Sequence, residues 1–368
     1  MSGRAAALTV AGLALATSVA HADRVIDRRS SWSDTRIVTD VVIEKTDGSI
    51  ETRRLPGGSV DGIGMVEFPL GVASPGAGLL GWVPARTSAG KPIAWRSSCV
   101  YVTPSVVPPS DIPAARVGAV LDAAIGEWNG RTRTCSFLKL FRATPSAVEV
   151  GLDGTNLLVF REDRWCRPAT VCDPNDCHDA DAAALTTIFF VDKPGAPDDG
   201  VILDTDIEIN AVDFAVWDEG ATEGTGPGAD LQNTLTHELG HVVGLGHTCW
   251  DEDGPPDLDG DNLPIPRCGS NPAEITEATM FNYQDSGPPP ETIKRSLEAD
   301  DIQGFCTRYP PADDPRECRR TAITPRLVGG TGCLGGGECV VAGRGATARG
   351  AWLVIGLAVV ALRRRRRR

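Results

Sequence analysis

The stretch THELGHVVGLGH, Thr236 to His247, holds three of the chain's five histidines. His237 and His241 are four residues apart, which on a helix stacks both imidazoles on one face, a single turn apart. Glu238 falls between them and projects near the same edge. Gly244 tolerates the left-handed conformation of a helix C-cap, so the chain can reverse there and return His247 to the same point in space. Three neutral imidazoles leave the fourth tetrahedral position of Zn²⁺ open for water, the arrangement of a catalytic site rather than a closed structural one. Zinc lowers the pKa of such a water to about 7, and Glu238 can take its proton and pass it to a leaving amine. One segment thus carries ligands, base and geometry for amide hydrolysis. Incidental histidines on a helix would account for H-E-x-x-H, but poorly for all five fixed positions of H-E-x-x-H-x-x-G-x-x-H.

The elements that must position this segment can be read around it. A helix from about Asp230 to Val243 is expected to carry the histidines. ALTTIFFVD is β-branched and aromatic and reads as a strand, and so does VILDTDIEIN, where Ile202 to Asn210 alternate strictly. In the latter, Asp204, Asp206, Glu208 and Asn210 share one face, and the pattern suits a half-buried edge strand with a wet side. SDIPAARVGAVLDAAIGEWN reads as a helix with Ser110 as N-cap, Pro113 in the first turn, and Val117, Val120, Leu121, Ala124 and Trp128 at helical spacing. PIAWRSSCVYV reads as a strand, and a last helix is expected around Glu291 to Thr307. Residues 23–88 lack cysteine and alternate apolar with polar residues, with a DG turn inside RIVTDVVIEKTDGSIETRRL, so they read as a small antiparallel β unit.

The zinc-binding segment resembles that of the metzincin zinc peptidases. The family's methionine turn has a counterpart in ATMFNY, where Met280 lies downstream of the third histidine and would form a packed floor under the metal. LEADDIQGFCTRY, Leu297 to Tyr309, is similar to the closing helix of the matrixin-like branch, and GVILDTDIEIN more weakly to the strand before its active-site helix. The resemblance covers about residues 88–310. It implies an α+β fold with a twisted mixed sheet, an active-site helix and a small C-terminal subdomain. It also implies zinc on His237, His241 and His247, Glu238 as base, and a protein or peptide substrate extended along an edge strand. Two departures stand out. The stretch from His247 to Met280 is long and acidic, and no cysteine precedes residue 99 to act as an upstream inhibitory switch. Tyr283 lies three residues beyond Met280 and is given no ligand role. Two rival functions stay open: a non-catalytic surface module on a zinc-protease fold, and a zinc amidase acting on cell-wall peptide. A retained Glu238 speaks against the first, because a structural site needs no general base.

Calcium is a secondary candidate. Asp257, Asp259 and Asp261 in DLDGDN place carboxylates at alternate positions around a glycine turn, although no Glu completes an EF-hand loop. Asp206 and Glu208 are second-rank candidates, because matrixins place calcium ligands near the related strand.

Both ends of the chain read as addresses. Residues 1–22 carry a basic residue, an apolar run and Ala20-x-Ala22, the pattern of a cleaved secretory signal. AWLVIGLAVVALRRRRRR ends the chain with twelve apolar residues, about 18 Å as a helix against about 30 Å of hydrocarbon, followed by six arginines. With TGCLGGGECV this tail, 333–368 after a linker at 311–332, resembles myxobacterial-type C-terminal sorting signals. In those signals a membrane protease processes the tail, here at Cys333, and delivers the protein to the cell surface. Membrane contact is expected through this tail alone. The formal net charge is −13, and more negative once the arginine tail is set aside, which argues against nucleic-acid binding. Eleven cysteines in an exported chain predict disulfides: local ones among Cys166, Cys172 and Cys177, and a Cys249–Cys268 pair.

Overall fold

The computed structural model describes residues 24–33, 36–44, 50–60, 62–72, 81–167, 177–218, 227–250, 256–268 and 273–318. The segments read as export signal and sorting tail, with Cys333, lie outside the described residues. Among the described residues no helix is long and apolar enough to cross a membrane.

Strands β1 (Arg24–Ser33), β2 (Arg36–Glu44) and β3 (Ile50–Pro56) form a three-stranded sheet in that order. Most of its residues, 24–29, 39–44 and 50–55, belong to a compact unit of their own. The second unit begins its long stretch at Pro56. The amino-terminal β region read over 23–88 is therefore divided: β4 (Gly58–Val60) and β5 (Ile63–Val72) are built into the main sheet.

That sheet is mixed and has eight strands. Its other members are β6 (Cys99–Pro104), β7 (Lys139–Arg142), β8 (Leu157–Arg161), β9 (Ala184–Val191), β10 (Ile202–Asn210) and the short β13 (Tyr283–Gln284). The order is β13-β5-β9-β10-β8-β6-β7, with β4 on β5. From β10 through β8 and β6 to β7 the pairing is parallel. β9 runs antiparallel to β10, and β5 antiparallel to β9. A separate parallel pair, β11 (Ala215–Trp217) with β12 (Gly228–Asp230), leads into the histidine helix.

Helix α1 (Ala114–Arg131) buries Val117, Val120, Leu121, Ala124 and Trp128, the predicted stripe, and Ile125 besides. It starts later than Ser110 suggests. Pro113 takes extended geometry (φ −66°, ψ 147°) as N-cap and offers no side-chain cap. A proline also biases the residue before it away from helical backbone, which keeps Ile112 out of the helix. Helix α2 (Leu231–Val242) packs on α1, β9 and β10. Asp230 caps it, accepting from Asn233 N at 2.9 Å. After α2 come the short α3 (Ala273–Thr276) and α4 (Ala299–Arg308), which is opened by a capping box between Glu298 and Asp301. The expected last helix is thus shorter at its start, and Ile293–Arg295 form a separate 3₁₀ turn.

β10 departs from its reading as an edge strand. It lies between β8 and β9 and is buried on both sides. Ile207 and Ile209 join the core cluster with Val120, Leu235 and Leu239. The opposite face is not wet. Asp206 accepts from Gly151 N (2.8 Å) and Leu157 N (2.9 Å), and Asp204 from Asp153 N and Gly154 N (2.7 and 2.6 Å). Glu208 takes Arg161 Nε at 2.8 Å and Arg167 Nε at 2.5 Å. The polar half of the alternation is satisfied by loop amides and buried guanidinium groups in place of water.

The eight cysteines among the described residues are all paired. Cys166–Cys177 and Cys249–Cys268 are the local bridges expected, while Cys99–Cys318 and Cys135–Cys306 span 219 and 171 residues. The first of these long bridges ties the start of the linker read at 311–332 back to β6.

Candidate metal centre

α2 presents His237, Glu238 and His241, all fully buried. Gly244 follows the C-cap Val243 with φ +83°, the left-handed turn that only glycine adopts at little cost. A Cβ there would also meet the Ile93 carbonyl at 3.0 Å. The reversal brings His247 back. Its Nε2 lies 3.1 Å from that of His241, which lies 3.0 Å from that of His237.

The His237–His241 contact is not a hydrogen bond in disguise. His237 Nδ1 donates to the Thr279 carbonyl at 2.6 Å, and His241 Nδ1 to the Leu245 carbonyl at 2.8 Å. A carbonyl can only accept, so both protons sit on Nδ1 and both Nε2 atoms carry bare lone pairs. Two lone pairs aimed at one point need a cation between them. Burial, and then the neighbouring imidazoles, hold all three histidines well below the ordinary histidine range, in the neutral form that ligates. Two nitrogens in a tetrahedral zinc shell are about 3.3 Å apart, given Zn–N bonds of about 2.0–2.1 Å. The residues present therefore fit a metal ion, with two of the three ligands oriented by backbone carbonyls in the manner usual for metal-bound histidine.

Glu238 shares this buried space. Thr186 of β9 donates to its Oε2, while Oε1 is buried with no protein partner. Burial pushes the carboxyl up to about 8, with the Thr186 hydroxyl pulling the other way. A basic, half-satisfied carboxylate beside a metal site can accept a proton and hold it.

Met280 and Trp128 pack against α2 at Gly240. Met280 is buried in the turn that closes with Phe281 N donating to the Ala278 carbonyl at 3.1 Å. A Cβ on Gly240 would collide with Met280 Sδ and meet the Trp128 ring at 3.2 Å, so the second x of H-E-x-x-H has to be this small. The same turn supplies the Thr279 carbonyl that orients His237. Trp95 and Tyr309 secure the end of α2: Trp95 Nε1 donates to the Val242 carbonyl and the Tyr309 hydroxyl to that of Val243, each at 2.7 Å. Helix ends leave such carbonyls unpaired unless something caps them.

The other candidates are placed differently. Burial alone would raise Glu208, but Arg167, His178 and Arg161 hold it well below the carboxylate range, as one side of an ion-pair cluster. Asp206 is turned to backbone amides, and burial, then Asp204, push it up. Asp259 Oδ1 accepts from Asp261 N and Leu263 N, folding DLDGDN on itself beneath Arg86, which donates to the Asp259 carbonyl. Asp257, Asp259 and Asp261 do not converge. Among the described residues the three histidines are the one group of three or more whose ligand atoms come within 4.8 Å of one another.

Two contributors leave no mark of their own in the sequence. Thr186 is hidden in a β-branched run that any strand could have. Phe68 of β5 stacks on the His241 ring, centroids 4.5 Å apart and planes 5° from parallel, and meets His247 edge-on at 5.7 Å. Nothing near Phe68 in the chain singles it out. No protein-family model matches the chain, and neither does any curated protein sequence.

Proposed function

We propose that the protein is a zinc-dependent endopeptidase of metzincin-like, matrixin-like architecture. The observation that carries this reading is the convergence of three Nε2 atoms beside the buried, half-satisfied Glu238. The turn at Met280 under Gly240, the antiparallel β9 next to the helix, and Tyr309 capping α2 support it further. His237, His241 and His247 would hold the ion. When bound, zinc supplies Lewis acidity towards water and the scissile carbonyl.

The chain's own residues do the rest. Glu238 Oε1 takes the proton of the attacking water and returns it to the leaving amine nitrogen, while Thr186 fixes Oε2 and so the direction of the free oxygen. The Thr279 and Leu245 carbonyls keep His237 and His241 in the ligating tautomer. The Asp204, Asp206 and Glu208 face anchors the sheet and plays no part in proton transfer.

Hydrolysis of casein or gelatin by the full chain, with and without chelator and beside Glu238→Gln, tests the proposal. Chelator and Glu238→Gln should each abolish hydrolysis, and the variant should still bind one zinc. Full activity in Glu238→Gln would remove the mechanism, and failure to bind zinc would remove the site. A cell-wall amidase is the rival enzyme reading, and muropeptide cleavage without protein cleavage would favour it.

A further inference from the structure

β9 is the strand that passes the base, since its Thr186 hydroxyl reaches Glu238. A peptide bound for hydrolysis at this site would add to β9 as an extended strand, through main-chain hydrogen bonds. That position is filled. β5 pairs antiparallel with β9 along eight registered residues, from Ile63 opposite Val191 to Leu70 opposite Ala184. Its far end also pairs parallel with β13, Tyr283 opposite Gly71, just beyond the Met280 turn. β5 therefore lies as a sandwiched strand between β9 and the segment that follows Met280.

The register sets what faces the metal. Phe68 stands opposite Thr186, and directly paired residues put their side chains on the same face about 5 Å apart. Phe68 accordingly reaches the histidines, stacking on His241. One residue earlier, Glu67 points to the other face, where it is ion-paired to buried Arg167 at 2.6 Å and accepts from Thr187 at 3.2 Å. Gly64 lets the strand lie close, for a Cβ there would collide with the Phe190 ring. A ring on one face and a buried ion pair on the other hold β5 in place.

We infer that β5 is a built-in occupant of the substrate position, so that the intact chain is latent until β5 leaves β9. This rests on the metallopeptidase reading above, which supplies the reason for a strand to be needed at β9. It gives the chain an inhibitory device without an upstream cysteine, and it makes Ile63–Val72 the inhibitory segment.

The test uses the zinc-loaded full chain with Phe68→Asp and, separately, Gly64→Val, each of which disfavours β5 on β9. Zinc content is measured first. The probe is a tripeptide hydroxamate, which chelates zinc while extended, with its affinity read by calorimetry and a fluorogenic peptide read in parallel. Both variants should bind the probe at least about tenfold more tightly than the wild type and cleave faster by a similar factor. Equal affinities and equal rates in zinc-replete wild type and variants would overturn the inference and leave the metallopeptidase reading standing. Absence of zinc from all three proteins would overturn that reading instead. If a variant loses zinc by misfolding, hydrogen exchange on the wild type decides. Saturating probe should speed exchange of the Ile63–Val72 amides while β10 stays protected, and unchanged β5 protection with the probe bound would overturn the inference.

Discussion

Thr186, in the middle of β9, donates its hydroxyl to Oε2 of Glu238 on the neighbouring helix. The bond is buried, and it leaves Oε1 as the one oxygen free to handle a proton. Replacing Thr186 with Val keeps the shape and deletes the donor. An unpaired buried oxygen costs about 1–3 kcal/mol. We expect kcat to fall about ten- to hundredfold, with zinc stoichiometry near one per chain by atomic absorption. Unchanged kcat would show that Glu238 is oriented without this bond.

Met280 Sδ fills the space that a Cβ on Gly240 would need, so Gly240→Ala should force this packing apart. Overpacking of this kind costs typically about 1–3 kcal/mol, read as a lower Tm and weaker zinc retention against a chelator. Shortening the partner should relieve it. The double variant Gly240→Ala with Met280→Ala should be less destabilised than the sum of the two single changes.

Tyr309→Phe removes the hydroxyl that caps the Val243 carbonyl. The ring still packs in the core, so the loss should fall on two buried backbone groups, the Val243 carbonyl and Trp95 N, which donates to the hydroxyl at 3.3 Å, at about 1–3 kcal/mol each. Thermal unfolding of the metal-free protein would register it.

Asp204 gives a pH signature free of the metal site. Burial, above all, raises its carboxyl to about 7 in the folded chain, with loop amides opposing. The folded state thus holds a proton that the unfolded state releases near pH 4. The stability this contributes is full below about pH 4 and is lost as pH rises through about 7. Asp204→Asn should abolish that loss, so the Tm difference between variant and wild type should grow in the variant's favour from pH 5 to pH 8. Each tenfold difference in proton affinity between the folded and unfolded chain is worth about 1.4 kcal/mol. The histidines titrate in both proteins and cancel in the difference, whereas Asp206, raised by burial and then by Asp204, titrates with it, so the difference reports the pair. A pH-independent difference would show that Asp204 is ionised throughout.

Local signals in the sequence carry much of this. The three histidines, Glu238, Gly244 and Met280 lie within one stretch and its sequel, and helical spacing plus one left-handed glycine is enough to bring the histidines together. The stripe of α1 and the runs of β9 and β10 are likewise readable, because burial on one side imposes a period. What stays hidden depends on partners far away in the chain. The alternation in β10 marks a polar face but cannot say that Arg161, Arg167 and loop amides will cover it, so it reads as an edge. Nor does the pattern of β5 distinguish a strand of a separate small unit from one added to β9. That depends on register across more than a hundred residues, and with it the meaning of Phe68.

The two long disulfides set a timetable. Cys135 waits for Cys306, 171 residues later, and Cys99 for Cys318, 219 residues later. At about 5–20 residues per second of synthesis, the first wait alone is roughly ten to thirty seconds. During that interval β6 and the turn after α1 have emerged while their covalent partners do not yet exist, and Cys166, Cys177, Cys249 and Cys268 pass by as competing thiols. The two short bridges, Cys166–Cys177 and Cys249–Cys268, can close as soon as their loops are made. Early closure would retire four wrong partners before the right ones arrive.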